Sequence, residues 1–124
     1  MKLLLDTHVL LWWIENAPLR PEAHRAISAA RSIVCVSAAS TVEIGIKVAT
    51  GKLRAPSDLE VRLALNRFTP LAITIAHGLR LSELPLHHKD PFDRLLVAQA
   101  QLEGLTIVTR DPRIALYDVE TLAA

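Results

Sequence analysis

Lys2-Leu3-Leu4-Leu5-Asp6-Thr7-His8-Val9-Leu10 is the stretch that decides the fold. Three consecutive leucines suit a short strand buried on both faces, and the acid that follows ends the apolar run. From Thr7 the apolar residues Val9, Leu10, Trp12, Trp13 and Ile14 make a broad helical face instead. A buried strand running straight into a helix opens a parallel α/β unit, and in such sheets ligands collect in the crevice outside the carboxyl ends of the strands. Asp6 stands on that rim, although an Asp there also serves a helix as its N-cap by accepting a backbone N–H.

The same alternation continues along the chain. Residues 33–36, 70–75 and 105–108 read as further strands, and residues 117–122 as an edge strand. Between them, helical patterns cover residues 7–16, 23–31, 40–49 (stopped by Gly51), 57–67 and 76–84 (stopped by Pro85). Ser57 and Glu60 have the spacing of a capping box. Asp90-Pro91-Phe92-Asp93 opens a helix with an apolar stripe of Leu95, Leu96, Ala98, Ala100 and Leu102 that Gly104 closes. Asp111-Pro112 starts a short final helix. The pattern predicts a parallel sheet covered by helices on both faces, as one domain over residues 1–124 without repeat or linker.

Composition excludes several functions. No apolar stretch approaches the roughly 20 residues of a membrane span, and the acid at position 6 comes too early for a signal-peptide core, so a cytoplasmic protein is expected. Cys35, the only cysteine, lies between Val34 and Val36 and reads as a small core residue instead of a catalytic thiol. A formal charge of +1 does not advertise a nucleic-acid binder. Gathering Asp6, Glu43, Asp90, Asp93 and Asp111 around cations would nevertheless leave the remaining surface basic.

Those acids share a placement. Asp6 and Asp111 each follow a strand, Asp93 lies in a first helical turn, and Glu43 lies one turn into its helix. In a parallel sheet the four can converge on one rim, where mutual repulsion would raise their pKa values unless a cation joined them. Oxygen ligands without Cys or His favour Mg²⁺ or Mn²⁺ over zinc, and His87-His88 has no second pair at a zinc-site spacing. Taken singly, Asp90 and Asp111 also fit as helix caps. Glu43 does not, because it interrupts the apolar residues Val42, Ile44 and Ile46, and a buried unpaired carboxylate is costly.

Four segments in order resemble the motifs of the PIN-domain family, and specifically of VapC-type toxins of bacterial toxin-antitoxin pairs. They are Leu4-Leu5-Asp6-Thr7-His8-Val9-Leu10-Leu11-Trp12, Ser37-Ala38-Ala39-Ser40-Thr41-Val42-Glu43-Ile44, the segment from His88 through Asp90-Pro91-Phe92-Asp93-Arg94 to Ala100, and Leu105-Thr106-Ile107-Val108-Thr109-Arg110-Asp111. The resemblance implies a three-layer α/β/α fold with about five parallel strands. It also implies Mg²⁺ or Mn²⁺ held by Asp6, Glu43, Asp93 and Asp111 as the catalytic and metal-binding acids, with Thr109 as a polar accessory. It further implies cleavage of RNA, a protein antitoxin and a homodimer. Thr41-Val42 departs from the bulky aromatic that often precedes the Glu in relatives, and Thr121-Leu122-Ala123-Ala124 lacks a terminal aromatic.

On this expectation the chain is a metal-dependent endoribonuclease, with Lys47 and Arg94 placed to meet phosphate oxygens. Trp12 and Trp13 are adjacent and cannot share one core face, so one of them is expected at the surface as an anchor for a partner. A catalytically silent PIN-fold binding module is the alternative. A phosphoacceptor receiver domain fits poorly, since residues 70–77 hold no Asp and Arg110, not Lys, stands at the late position.

Overall fold

The computed structural model describes residues 1–124. Strands β1 (Lys2–Leu5), β2 (Ile33–Ser37), β3 (Thr69–Leu71), β4 (Thr106–Thr109) and β5 (Thr121–Ala123) form one sheet in the order β3-β2-β1-β4-β5. Every pairing is parallel, with Leu4 opposite Cys35 on one side and Ile107 on the other. Helices α1 (Thr7–Ile14), α2 (Pro21–Ser28), α3 (Ala38–Ala49), α4 (Leu59–Leu65), α5 (Ile75–Arg80) and α6 (Pro91–Glu103) connect them. The expected three-layer α/β/α arrangement is present, and its two cores follow from the period-2 alternation of β1. Leu3 and Leu5 point into a cluster with Val9, Leu10, Ile27 and Ile44, whereas Leu4 points into the opposite cluster with Leu96, Val97 and Ile107. No helix is long and apolar enough to cross a membrane. Cys35 is buried, as its neighbours implied.

The chain winds from β1 through β2 to β3 on one side, then returns to place β4 on the other flank of β1. The direction of winding therefore reverses between β1 and β4, and that switch point is where such sheets open a crevice.

Several boundaries differ from expectation for local reasons. The third strand is only Thr69–Leu71, because Pro70 cannot donate to a ladder and the strand lies at the sheet edge. The capping box belongs to Thr74 and His77, which cap α5 reciprocally, and not to Ser57 and Glu60. At α4 Asp58 is the N-cap residue, and its carboxylate accepts from Arg62 Nε instead of capping. After Asp111-Pro112 only a 3₁₀ turn forms over Ile114–Leu116. The last strand is restricted to Thr121–Ala123 because the backbone before it is still turning: Tyr117 N donates to the Ile114 carbonyl and Val119 N to the Tyr117 carbonyl. On α6 the buried face is Leu96 to Ala100, including Gln99, while Leu102 is exposed. Gln99 is tolerated there because Oε1 accepts from Ser37 Oγ and Nε2 donates to the Ala72 carbonyl at 3.3 Å.

Arg94 does not serve as the expected phosphate contact. Its Nη2 donates to the Leu81 carbonyl at 2.9 Å, and its Nη1 donates to the Pro85 carbonyl at 2.8 Å and to Tyr117 Oη at 3.2 Å. A planar guanidinium with several donors suits this task, and here it fastens the segment leading to residue 90 onto α6. Arg94→Ala should lower unfolding stability by about 1–3 kcal/mol through the lost charged hydrogen bonds, read from the denaturation midpoint. Unchanged stability accompanied by weaker RNA binding would restore the phosphate role.

Candidate active site

The switch point assembles its polar groups from strand ends and helix starts. Asp6, the residue after β1, does serve as N-cap of α1: Oδ1 accepts from Val9 N at 2.8 Å. Its Oδ2 accepts from the hydroxyl of Thr109 at the end of β4. The same Thr109 oxygen accepts from Asp111 N at 3.0 Å, so a single hydroxyl ties the two strand-end acids together across the sheet. Cap and rim residue are one role here, because the cap uses one carboxylate oxygen and leaves the other facing β4. Burial is the main influence on Asp6 and pushes its carboxyl above the usual range, against the lowering effect of the Thr109 and Val9 donors.

Glu43 reaches the same region from α3, which starts directly behind β2 under a Ser37 cap. The residue is only 3% exposed. Its Oε2 accepts from Lys47 Nζ at 2.6 Å, one turn along the helix, while Oε1 is buried with no hydrogen-bond partner. Lys47 was expected to meet phosphate and instead pairs with Glu43, and that hydrogen bond holds its ammonium above the usual lysine range.

Asp90 caps α6 through Oδ1, which accepts from Phe92 N and Asp93 N. This meets the cap half of the expectation for Asp90. Asp93 is pushed up to about 6, chiefly by burial and then by the charge of Asp90, with Asp6 and Glu43 adding repulsion. Asp6, Glu43 and Asp90 therefore all lie within electrostatic reach of Asp93. Asp111 behaves oppositely: burial would raise it, but hydrogen bonds from Arg113 and His88 outweigh burial and hold its carboxyl below the usual range.

His88 is the member the sequence did not reveal. It is buried, and its Nε2 donates to Asp111 Oδ2 at 3.0 Å while lying 3.0 Å from Asp93 Oδ2. One nitrogen thus sits between two of the four acids, and the three side chains have ligand-type atoms within 4.8 Å of one another. Weighing the histidines only as zinc ligands overlooked this one. Its signals were its place two residues before the Asp90 cap and at the head of the third motif-like segment, where it was given no role. His8 remains at the surface of α1 beside Trp12.

The tryptophans correct another expectation, for neither is freely exposed. Trp12 lies under the Arg110 guanidinium, 4.2 Å from its ring centre, and Trp13 packs toward Phe68 while its Nε1 donates to Asn66 at 2.9 Å. Arg110 also donates to the Ala124 and Pro18 carbonyls, closing one wall of a cleft of about 600 Å³ that Arg20, Thr109 and Asp111 line.

A hard divalent cation fits this donor set. Clustered carboxylates, one raised by burial and then by its neighbours' charge, and one oxygen buried without a partner, are left in the condition that a cation relieves.

Comparison with known proteins agrees with this architecture. No curated protein matches the chain. Among solved structures, VapBC2 from Rickettsia felis bound to a promoter DNA fragment superposes with a TM-score of 0.74 at 15% identity, covering 98% of both chains. DNA-bound VapBC from Salmonella typhimurium gives 0.68 at 18% identity, over 98% of this chain and 97% of the other. A toxin-antitoxin complex from Klebsiella pneumoniae gives 0.66 at 22%, over 97% and 95%. At these identities the likeness is one of fold. The PIN domain profile matches residues 3–120, so nearly the whole chain is accounted for, and the protein belongs to the PIN domain family, whose members are in general nucleases.

Proposed function

We propose that this chain, working as a single PIN domain, is a Mg²⁺- or Mn²⁺-dependent endoribonuclease and the VapC-type toxin of a toxin-antitoxin pair. The observation that carries the proposal is the orphaned Glu43 Oε1, buried at the rim where Asp6, Asp93 and Asp111 also lie. A protein that used Glu43 only for structure would lose the desolvation cost of that oxygen for nothing.

Asp6, Glu43, Asp93 and Asp111 would hold the cation. When bound, it supplies a lowered pKa for water and polarisation of a phosphoryl oxygen. The chain's own groups do the rest. Lys47 donates to Glu43 Oε2 and holds that oxygen in place, and Thr109 fixes the Asp6 carboxylate by its hydroxyl proton. Arg113 holds Asp111 charged from the solvent side. The five gathered acids leave the rest of the chain basic in balance, which favours a polyanion. The cleft beside Asp111, with Arg20 on its wall, gives an RNA strand room to leave the acids.

A protein partner is supported by apolar side chains left at the surface. Ile46 and Val42 on α3 are about half exposed, and Leu65 on α4, Leu79 on α5 and Leu86 are mostly exposed. We assign such surfaces to the antitoxin and to a second copy, with the chain acting in the cytoplasm. A silent binding module would need the same surfaces but not the buried acids.

Purified protein incubated with total cellular RNA should cleave it with Mg²⁺ or Mn²⁺ and stop with chelator, and Asp6→Ala should abolish cleavage while the circular dichroism spectrum is kept. Equal cleavage by Asp6→Ala, or none in any lane, would favour the silent module.

The raised Asp93 carboxyl adds a stability prediction. Its folded pKa of about 6 exceeds the unfolded value of 3.8, so the folded state resists ionisation, and stability is lost as pH rises through this window. In chelator, Asp93→Asn should therefore stabilise the protein at pH 7 by about 1–2 kcal/mol, a figure reduced for partial exposure, and the gain should vanish toward pH 4. Melting curves of both proteins across that range check it, and a gain that persists at pH 4 contradicts it.

A further inference from the structure

His88 has two ring nitrogens in different service. Nδ1 accepts from Asp90 N at 3.1 Å, so it carries no proton, and the single proton of the neutral ring sits on Nε2. Nε2 is the atom that donates to Asp111 Oδ2 and lies equally close to Asp93 Oδ2. A metal ligand needs a lone pair at that nitrogen, which the protonated Nε2 does not have. His88 is thus a hydrogen-bond partner of Asp111 with Asp93 in contact at 3.0 Å, and not itself a ligand.

The ring is also held from behind. His88 N donates to Tyr117 Oη at 3.0 Å, and Tyr117 Oη is in turn fixed by Arg94, which fastens the preceding segment at Leu81 and Pro85. His87 packs edge-on against the Tyr117 ring at 5.0 Å. Burial of the imidazole removes its freedom to turn away.

We propose that His88 is a positioning residue of the acidic centre: its Nε2–H holds Asp111, from the end of β4, by a hydrogen bond while the same nitrogen lies against Asp93, from α6, at 3.0 Å, and this clip keeps two carboxylates of different elements in register for the cation. The assignment rests on the metal reading of the acids given above. Without the clip, Asp93 and Asp111 are free to separate under their own repulsion, and ordering them again is charged against cation binding. Groups that hydrogen-bond ligating carboxylates typically change metal affinity by about 10–100-fold when removed.

The two nitrogens can be tested apart. In His88→Asn the amide oxygen stands near the position of Nδ1 and retains the acceptor for Asp90 N, but no donor reaches the acids. In His88→Gln the amide nitrogen stands near the position of Nε2 and retains the donor. Mn²⁺ binding is read by electron paramagnetic resonance of the free ion, and folding by thermal melting in chelator. We expect His88→Asn to melt near the wild type yet bind Mn²⁺ at least about tenfold more weakly, and His88→Gln to bind close to wild type even if it melts lower. A purely structural histidine would move melting and not affinity. Wild-type affinity in His88→Asn, tighter binding there, or equal loss in both variants would overturn the assignment while leaving the metal reading intact. A wild-type chain that holds no Mn²⁺ would overturn the metal reading, and the assignment with it.

Discussion

Repulsion among carboxylates at the carboxyl ends of β1 and β4 is the constraint on which the rest of this structure turns. Parallel pairing puts the ends of both strands on one edge, and the reversal of winding between them leaves that edge uncovered by a crossover helix. Asp6 and Asp111 follow those strands by covalent necessity, while α3 and α6 bring Glu43 and Asp93 to them. The fold then spends hydrogen-bond donors on containing the charge: Thr109 on Asp6, Lys47 on Glu43, His88 and Arg113 on Asp111. What these donors leave uncompensated is the raised Asp93 and the bare oxygen of Glu43. That remainder is the physical argument for a cation.

The containing groups are themselves anchored in the core, which links stability to chemistry. Thr109 is a buried strand residue, Lys47 belongs to the helix that begins at the Ser37 cap, and His88 is held by Tyr117 and Arg94. Ser37 also donates to Gln99 at the centre of α6, so the N-cap of the helix that carries Glu43 is tied by a buried hydrogen bond to the helix that carries Asp93. Small displacements of the sheet edge would therefore be felt at all four acids. The exposed apolar side chains on α3 and α4 lie on the outside of this frame.

Much of this arrangement was legible from sequence because it is local. Leu3-Leu4-Leu5 before Asp6, Ile33 to Val36, and Asp90-Pro91 with Gly104 gave strands and a capped helix by short-range pattern, and the acids lie at fixed offsets from those elements. What escaped depends on partners distant in the chain. Arg94 looked like a free cation because the carbonyls that occupy it, at Leu81 and Pro85, carry no side-chain signature. His88 meets Asp111 only through the β4 return, a separation of 23 residues. Thr109 reaches Asp6 across 103 residues, and only the family likeness hinted at it. Ser57 and Glu60 had the letters of a capping box, but Asp58 took the cap position and Thr74 formed the real one.

The most direct measurement is a crystal structure of the protein grown with Mn²⁺, read by anomalous scattering at the manganese edge. A manganese peak is expected among the carboxylates of Asp6, Glu43, Asp93 and Asp111, with Glu43 Oε1 on the ion and His88 Nε2 still hydrogen-bonded to Asp111 outside it. A map with no manganese at this edge, or with Glu43 Oε1 satisfied by a protein donor instead, would contradict it.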